Sequence, residues 1–161
     1  TMELVLAQPV SRIRVAISRV VVLVVYAAVL AASSFAPIMI FGPKYDIDLP
    51  WDVFWTLNGF SMLFMLAVGG FAMLMSSIFR GGGRPGAITS GLLMLFWIAD
   101  ITSNASKAAE FFDPVNVVSY WQPGKIINGD VIAAEAWWLY GIIAAVTLIG
   151  SVVIFSRRDV A

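Results

Sequence analysis

Four runs of apolar residues decide what this chain can fold into. Val20 to Phe41, Val53 to Phe79 and Ala136 to Ser156 hold 22, 27 and 21 residues without a charge. At about 1.5 Å rise per residue, each is long enough for a helix to cross a hydrocarbon layer of about 30 Å. A fourth run, Ala87 to Ala105, is interrupted by Asp100 and turns polar through Thr102, Ser103 and Asn104. The expected fold is therefore all-α, a polytopic membrane protein with transmembrane helices over 20–41, 53–79, 87–105 and 136–156. Composition agrees: 60% of the 161 residues are apolar, 12% are charged, and the mean hydropathy is +0.90. These values lie far from those of soluble domains.

The first apolar run is too long for a secretory signal and no small-residue cleavage site follows it, so the chain reads as inserted and not exported. It contains neither cysteine nor histidine. The usual protein ligands for haem, zinc and copper are thus missing, and no metal or redox centre is expected. Met62, Met65, Met73 and Met75 in the second run are interleaved with Phe and Leu, which suits helix packing better than soft-metal handling. Gly69 and Gly70, with Ala31, Ala32, Ser33 and Ser34 in the first run, suit close approach of helices.

Charge sets the expected orientation. All seven arginines (12, 14, 19, 80, 84, 157 and 158) fall on one side of the four runs, and with Glu3 and Asp159 they leave that side at a formal +5. The other side holds the three lysines among eight acids, a formal −5, so the net charge of zero conceals a strong split. The positive-inside rule then predicts that both ends of this segment are cytoplasmic; the expected location is the inner (plasma) membrane.

Two connections are short. GPKYDIDLPWD, residues 42–52, reads as an outer loop with Trp51 and Trp55 at its membrane edge, and RGGGRPGA, residues 80–87, as an inner turn. The three glycines are not a phosphate loop, because no strand precedes them and no Gly-Lys-Ser/Thr follows. The third connection, 106–135, is too long for a turn and too apolar for a soluble loop: Phe111, Phe112, Val115, Val117, Val118, Tyr120, Trp121, Ile126 and Ile127 would not stay in water. Pro114, Pro123 and Gly124 forbid one continuous helix. A pair of short re-entrant or interfacial segments in the outer leaflet is expected. Asp100 lies about 20 Å into its helix, on a face with Ser103 and Asn104, and a carboxylate at that depth must find partners or protonate. Either this cluster satisfies the helix end under the re-entrant segment, or it belongs to a translocation path.

The segment before the first run is the most informative. Met2 to Ala7 reads as a short helix with Leu4, Val5 and Leu6 as its apolar contact; Pro9 interrupts it and begins a second helix that carries Val10 to Arg19 up into the membrane. The result is a cytoplasmic elbow suited to transmitting force from a soluble partner.

The run ELVLAQPVSRIRV, residues 3–15, resembles the coupling segment of ABC-2 type ABC transporter permeases, where Glu-Leu-Leu-Leu-Ala-Gln-Pro-Val-Ser-Arg precedes a transmembrane helix. VVIFSRRDVA at the far end is similar to that family's Phe-Arg-Arg-Arg-Asp ending, and EFFDPVNVVSYWQPGKIINGD resembles its region before the last helix. The family's plan has six helices, two of them before the coupling segment, so the chain is expected to correspond to the C-terminal four-helix portion.

The resemblance implies a permease subunit that pairs with a second copy or homologue and binds an ABC ATP-binding subunit through residues 1–14, with Glu3, Leu4, Leu6, Gln8, Pro9, Ser11 and Arg12 at the contact. It also implies export driven by ATP and Mg²⁺ on that partner. This chain itself, having no Walker A pattern, binds no cofactor, is no enzyme and contacts lipid but no nucleic acid. Asp100, Asn104, Phe112 and Tyr120 are the candidates for a translocation path or outer gate. Three other readings compete: an opening segment that merely anchors on the inner leaflet, a lipid-modifying enzyme using Asp100 and Asn104, and a stand-alone four-helix scaffold.

Overall fold

Small side chains organise the bundle. The computed structural model describes residues 11–79, 83–105, 116–130 and 132–157, and the side chains of Arg12 and Asn104 are outside that description. Its elements are α1 (Arg12–Phe41), a 3-10 turn (Gly42–Tyr45), α2 (Trp51–Ile78), α3 (Arg84–Ala105), the short α4 (Pro123–Ile127) and α5 (Ala134–Arg157). Among the described residues there is no strand, and α1, α2, α3 and α5 are each long and apolar enough to cross a membrane.

The pair α2 and α5 forms the centre. On α5 the buried residues Ala136, Tyr140, Ala144, Thr147 and Ser151 recur at the three- and four-residue spacing of one helix face. A Cβ placed on Gly70 of α2 would meet Thr147 Oγ1 and lie 3.2 Å from Leu148 Cγ, so α5 runs against bare backbone there. Lower down, Ser77 Oγ donates across to the Ser151 carbonyl at 3.2 Å. Without a hydrophobic drive between helices in lipid, this close contact of small residues supplies the packing energy.

The neighbouring Gly69 faces the other way. A Cβ there would sit 2.5 Å from Leu23 Cδ1, which makes it the seat of α1 on α2. Ala16, Ala27 and Ala31 form the buried stripe of α1. Of the small residues expected at this approach, Ala31 turns inward, whereas Ala32, Ser33 and Ser34 are exposed. Successive residues rotate by about 100° around a helix, so a run of four adjacent small residues cannot share one face.

Every spanning helix begins before its apolar run does. Pro50 caps α2, and its carbonyl accepts from Phe54 N at 2.9 Å, which draws Trp51 and Asp52 into the first turn. α3 starts at Arg84, with Pro85 in its first turn where a missing N–H costs nothing. Glu135 lies in the first turn of α5, where the helix dipole favours an acid. The elbow is corrected in one respect. The helix entering the first span begins at Arg12, not Pro9, because Ser11 is extended (ψ 136°) and its hydroxyl accepts from Arg14 N at 3.4 Å. Glu3, Leu4, Leu6, Gln8 and Pro9 lie outside the described residues.

Loop ends are built with the same economy. Gly42 is required because a Cβ would come within 2.5 Å of the Ile47 carbonyl oxygen, and Asp46 takes the left-handed conformation (φ 57°) to turn the chain toward α2. Trp51 and Trp55, 65% and 66% exposed, ring this end of the bundle as an interfacial belt does.

Candidate functional site

The end of the bundle remote from the arginines is covered by residues 116–130. They form a turn over 117–120 followed by the five-residue α4. Two short segments dipping into lipid were expected over 106–135; the described part is one turn and one short helix that bury their apolar side chains against protein. Val118 and Ile126 are buried, Val117, Tyr120 and Trp121 are half-buried against the core, and of this set only Ile127 is exposed. Phe111, Phe112 and Val115 lie outside the described residues.

Three attachments hold this cap. Trp121 stacks on Phe60 (5.4 Å between centroids, 7° between planes) and on Phe64 (4.9 Å, 18°), one turn apart on α2. Tyr140 of α5 packs edge-on to both phenyl rings, and its hydroxyl donates to the Val117 carbonyl at 2.7 Å. Asn116, 2% exposed, uses both ends of its amide: Nδ2 donates to the Phe96 carbonyl of α3 at 2.9 Å, and Oδ1 accepts from Val118 N at 3.0 Å. Aromatic faces contribute about 0.5–1.5 kcal/mol per pair beyond area burial, and a buried polar group left unmatched costs about 1–3 kcal/mol. The cap is therefore tied to α2, α5 and α3 by separate contacts. Replacing Asn116 by Ala should free it from α3 alone. Hydrogen exchange at Val118 and its neighbours should speed up markedly while the amides of α2 keep their protection. Unchanged exchange across 116–122 would mean the aromatic stack suffices.

Between cap and α3 opens a polar cleft of about 600 Å³. Asp100 and Ser103 of α3 form one wall, and Trp121, Gln122, Lys125 and Asn128 contribute to the other. An acid and a base thus enter one cleft from different elements. Ser103 Oγ donates to the Asp100 backbone carbonyl at 3.0 Å, a local helix bond and not a bond to the carboxylate. The expected grouping of Asp100 with Ser103 is found, and Asn104's side chain is outside the description. Tyr120 is elsewhere: it lines a separate cleft of about 260 Å³ with Ile132, Ala133 and Ala136, and Gln122 and Lys125 border both clefts. Trp121, not Tyr120, shares the lining of the polar cleft with Asp100.

Sequence reasoning missed Asn116, Trp121 as a ring-stacking residue, and Tyr140. The spacing of Phe60 with Phe64 and of Trp137 with Tyr140 marks aromatic faces on two helices. Nothing in a single sequence, however, tells which of the cap's aromatics they receive.

On the opposite end, Ser11 and Arg12 are the described members of the expected ATPase contact. Ser11 is occupied as the N-cap of α1. Beyond it α1 runs 30 residues without a break in its helical assignment. That corresponds to about 45 Å, more than the hydrocarbon layer requires. Among the described residues no cluster of three or more acids converges as a metal site would. No family model matches this chain, and no curated protein or solved structure matches it either.

Proposed function

We propose that this chain is the membrane-embedded part of an ATP-driven exporter of the ABC-2 permease type, with residues 1–14 docking on an ATP-binding subunit. The observation that carries the reading is the run ELVLAQPVSRIRV, residues 3–15, whose last four residues open the capped helix α1. Any displacement of the docked segment enters a helix that extends to Phe41 and is seated on α2 at Gly69. A push at Arg12 is carried along α1, past the seat at Gly69, toward the capped end of the bundle, where Pro37 is the point at which the helix can bend.

There the polar cleft between Asp100 and the cap is the place for a gate. The cap's contacts to α2, α3 and α5 allow a shift among those helices to open or close it. A partially buried acid in a spanning helix is by default a functional position. In this reading the cap, residues 116–130, covers the outer end of the bundle, both ends of the segment are cytoplasmic, a second copy or homologue completes the path, and ATP and Mg²⁺ act on the partner alone.

Orientation is tested by single cysteines, since the chain has none of its own. Cysteines replacing Asp46 or Gly124 should react with an impermeant maleimide on intact cells, and cysteines replacing Gly82 or Ser156 only after lysis. Labelling of Gly82→Cys from outside would invert the topology and remove the ATPase contact. For the function itself, the native protein purified from its own membranes should bring down a chain with a Walker A sequence. Recovery of the folded protein without such a chain would favour a scaffold.

A further inference from the structure

We infer that the cleft at the arginine end, between α1, α2 and α5, is a site for one anionic phospholipid, its phosphate on Arg19 and an acyl chain lying deeper along α1. The cleft measures about 460 Å³ and is graded along the helix axis. Toward the arginine end it holds Ser18 and Arg19 on α1 and Ser76 on α2; farther along lie Leu23, Tyr26 and Met73, while the hydroxyls of Ser77 and Ser151, which also line it, donate to helix carbonyls. Arg19 to Tyr26 spans seven residues, or about 10 Å, so the gradient runs from headgroup level into the hydrocarbon. Water does not occupy such depth without polar partners, and an open cleft there is filled by lipid.

Arg19 is held in position for this. Its guanidinium carbon lies 5.0 Å from the centroid of the Phe155 ring on α5. This cation–π contact keeps the guanidinium at the cleft, and a guanidinium's planar set of N–H donors suits bidentate binding of phosphate. Among the described residues no acid lines the cleft, so the cation has no competing carboxylate within it. Basic pockets between spanning helices recognise anionic headgroups by this combination of charge and chain contact.

The test is native mass spectrometry of the purified chain in detergent, titrated with dioleoylphosphatidylglycerol or dioleoylphosphatidylcholine. One phosphatidylglycerol should bind in preference to phosphatidylcholine, and Arg19→Gln should weaken it about tenfold by loss of the charge-assisted contact. Arg84→Gln, an exposed arginine at the same end outside the cleft, should leave binding unchanged. Val22→Trp, which fills the cleft from an exposed position, should weaken both lipids. Circular dichroism on each variant checks that the helices are retained. Glycerol phosphate in excess should not displace the lipid; displacement would place the affinity in the phosphate alone and overturn the assignment of the deeper cleft. Equal loss in Arg84→Gln and Arg19→Gln, or equal binding of the two lipids by the parent, would reduce the effect to general surface attraction and overturn the site.

Discussion

Gly70→Leu is expected to abolish the native bundle. Any side chain at position 70 starts from a Cβ in collision with Thr147 Oγ1 and 3.2 Å from Leu148 Cγ, on the α5 face that buries Ala144, Thr147 and Ser151. Relief requires separation of the two central helices, and the cap depends on both through Phe60, Phe64 and Tyr140. Overpacking of this kind costs about 1–3 kcal/mol at an adaptable site, and here more than about 3 kcal/mol because a whole interface is displaced. Gly69→Leu should cost less, about 1–2 kcal/mol, because the obstacle is the tip of the Leu23 side chain, which can rotate away. Gly91→Leu meets nothing within 4 Å, and its change should fall within about 0.5 kcal/mol. Thermal unfolding in detergent, followed by circular dichroism, ranks the three. A Gly70→Leu protein that melts with its parent would mean α2 and α5 do not pack as described.

The second large effect concerns function. Leu4→Ala combined with Leu6→Ala should weaken association with the ATP-binding subunit by about two to four powers of ten, since each leucine buried at the contact contributes about 1.5–3 kcal/mol. The bundle should keep its stability, because the packing contacts described above involve neither leucine. Co-purification and transport, compared at equal expression, are the readouts. Retained binding with unchanged transport would make the segment a simple anchor on the inner leaflet.

Much of the architecture was legible because lipid imposes a stringent rule: an uncharged run of the right length has to be a helix. Helix ends were less legible. Hydropathy excludes Trp51, Asp52, Arg84 and Pro85, whereas backbone capping does not, so α2, α3 and α5 begin two or three residues ahead of their apolar runs and α1 begins eight residues ahead, at Arg12. Gly69 and Gly70 announced close packing, yet only coordinates reveal that adjacent glycines serve different partners, α1 and α5. The polar cleft was half legible. Asp100 and Ser103 share a face by spacing alone, but the other residues of their cleft come from a segment more than fifteen residues away in sequence, of which Trp121 lines that cleft and Tyr120 a separate one. Asn116 had no signal, since an asparagine whose amide reaches a mid-helix carbonyl looks in sequence like any loop residue.

The proposed function requires that the segment ahead of α1 touch an ATP-binding subunit. The most direct measurement replaces Leu4 with a photo-reactive benzophenone amino acid in the native protein, irradiates intact membranes, and identifies the cross-linked chain by mass spectrometry. A covalent product with a protein carrying a Walker A sequence is expected, lost when the probe is moved to Ile40 at the opposite end of α1. Cross-linking to lipid alone, or to the same chains from both positions, would contradict it.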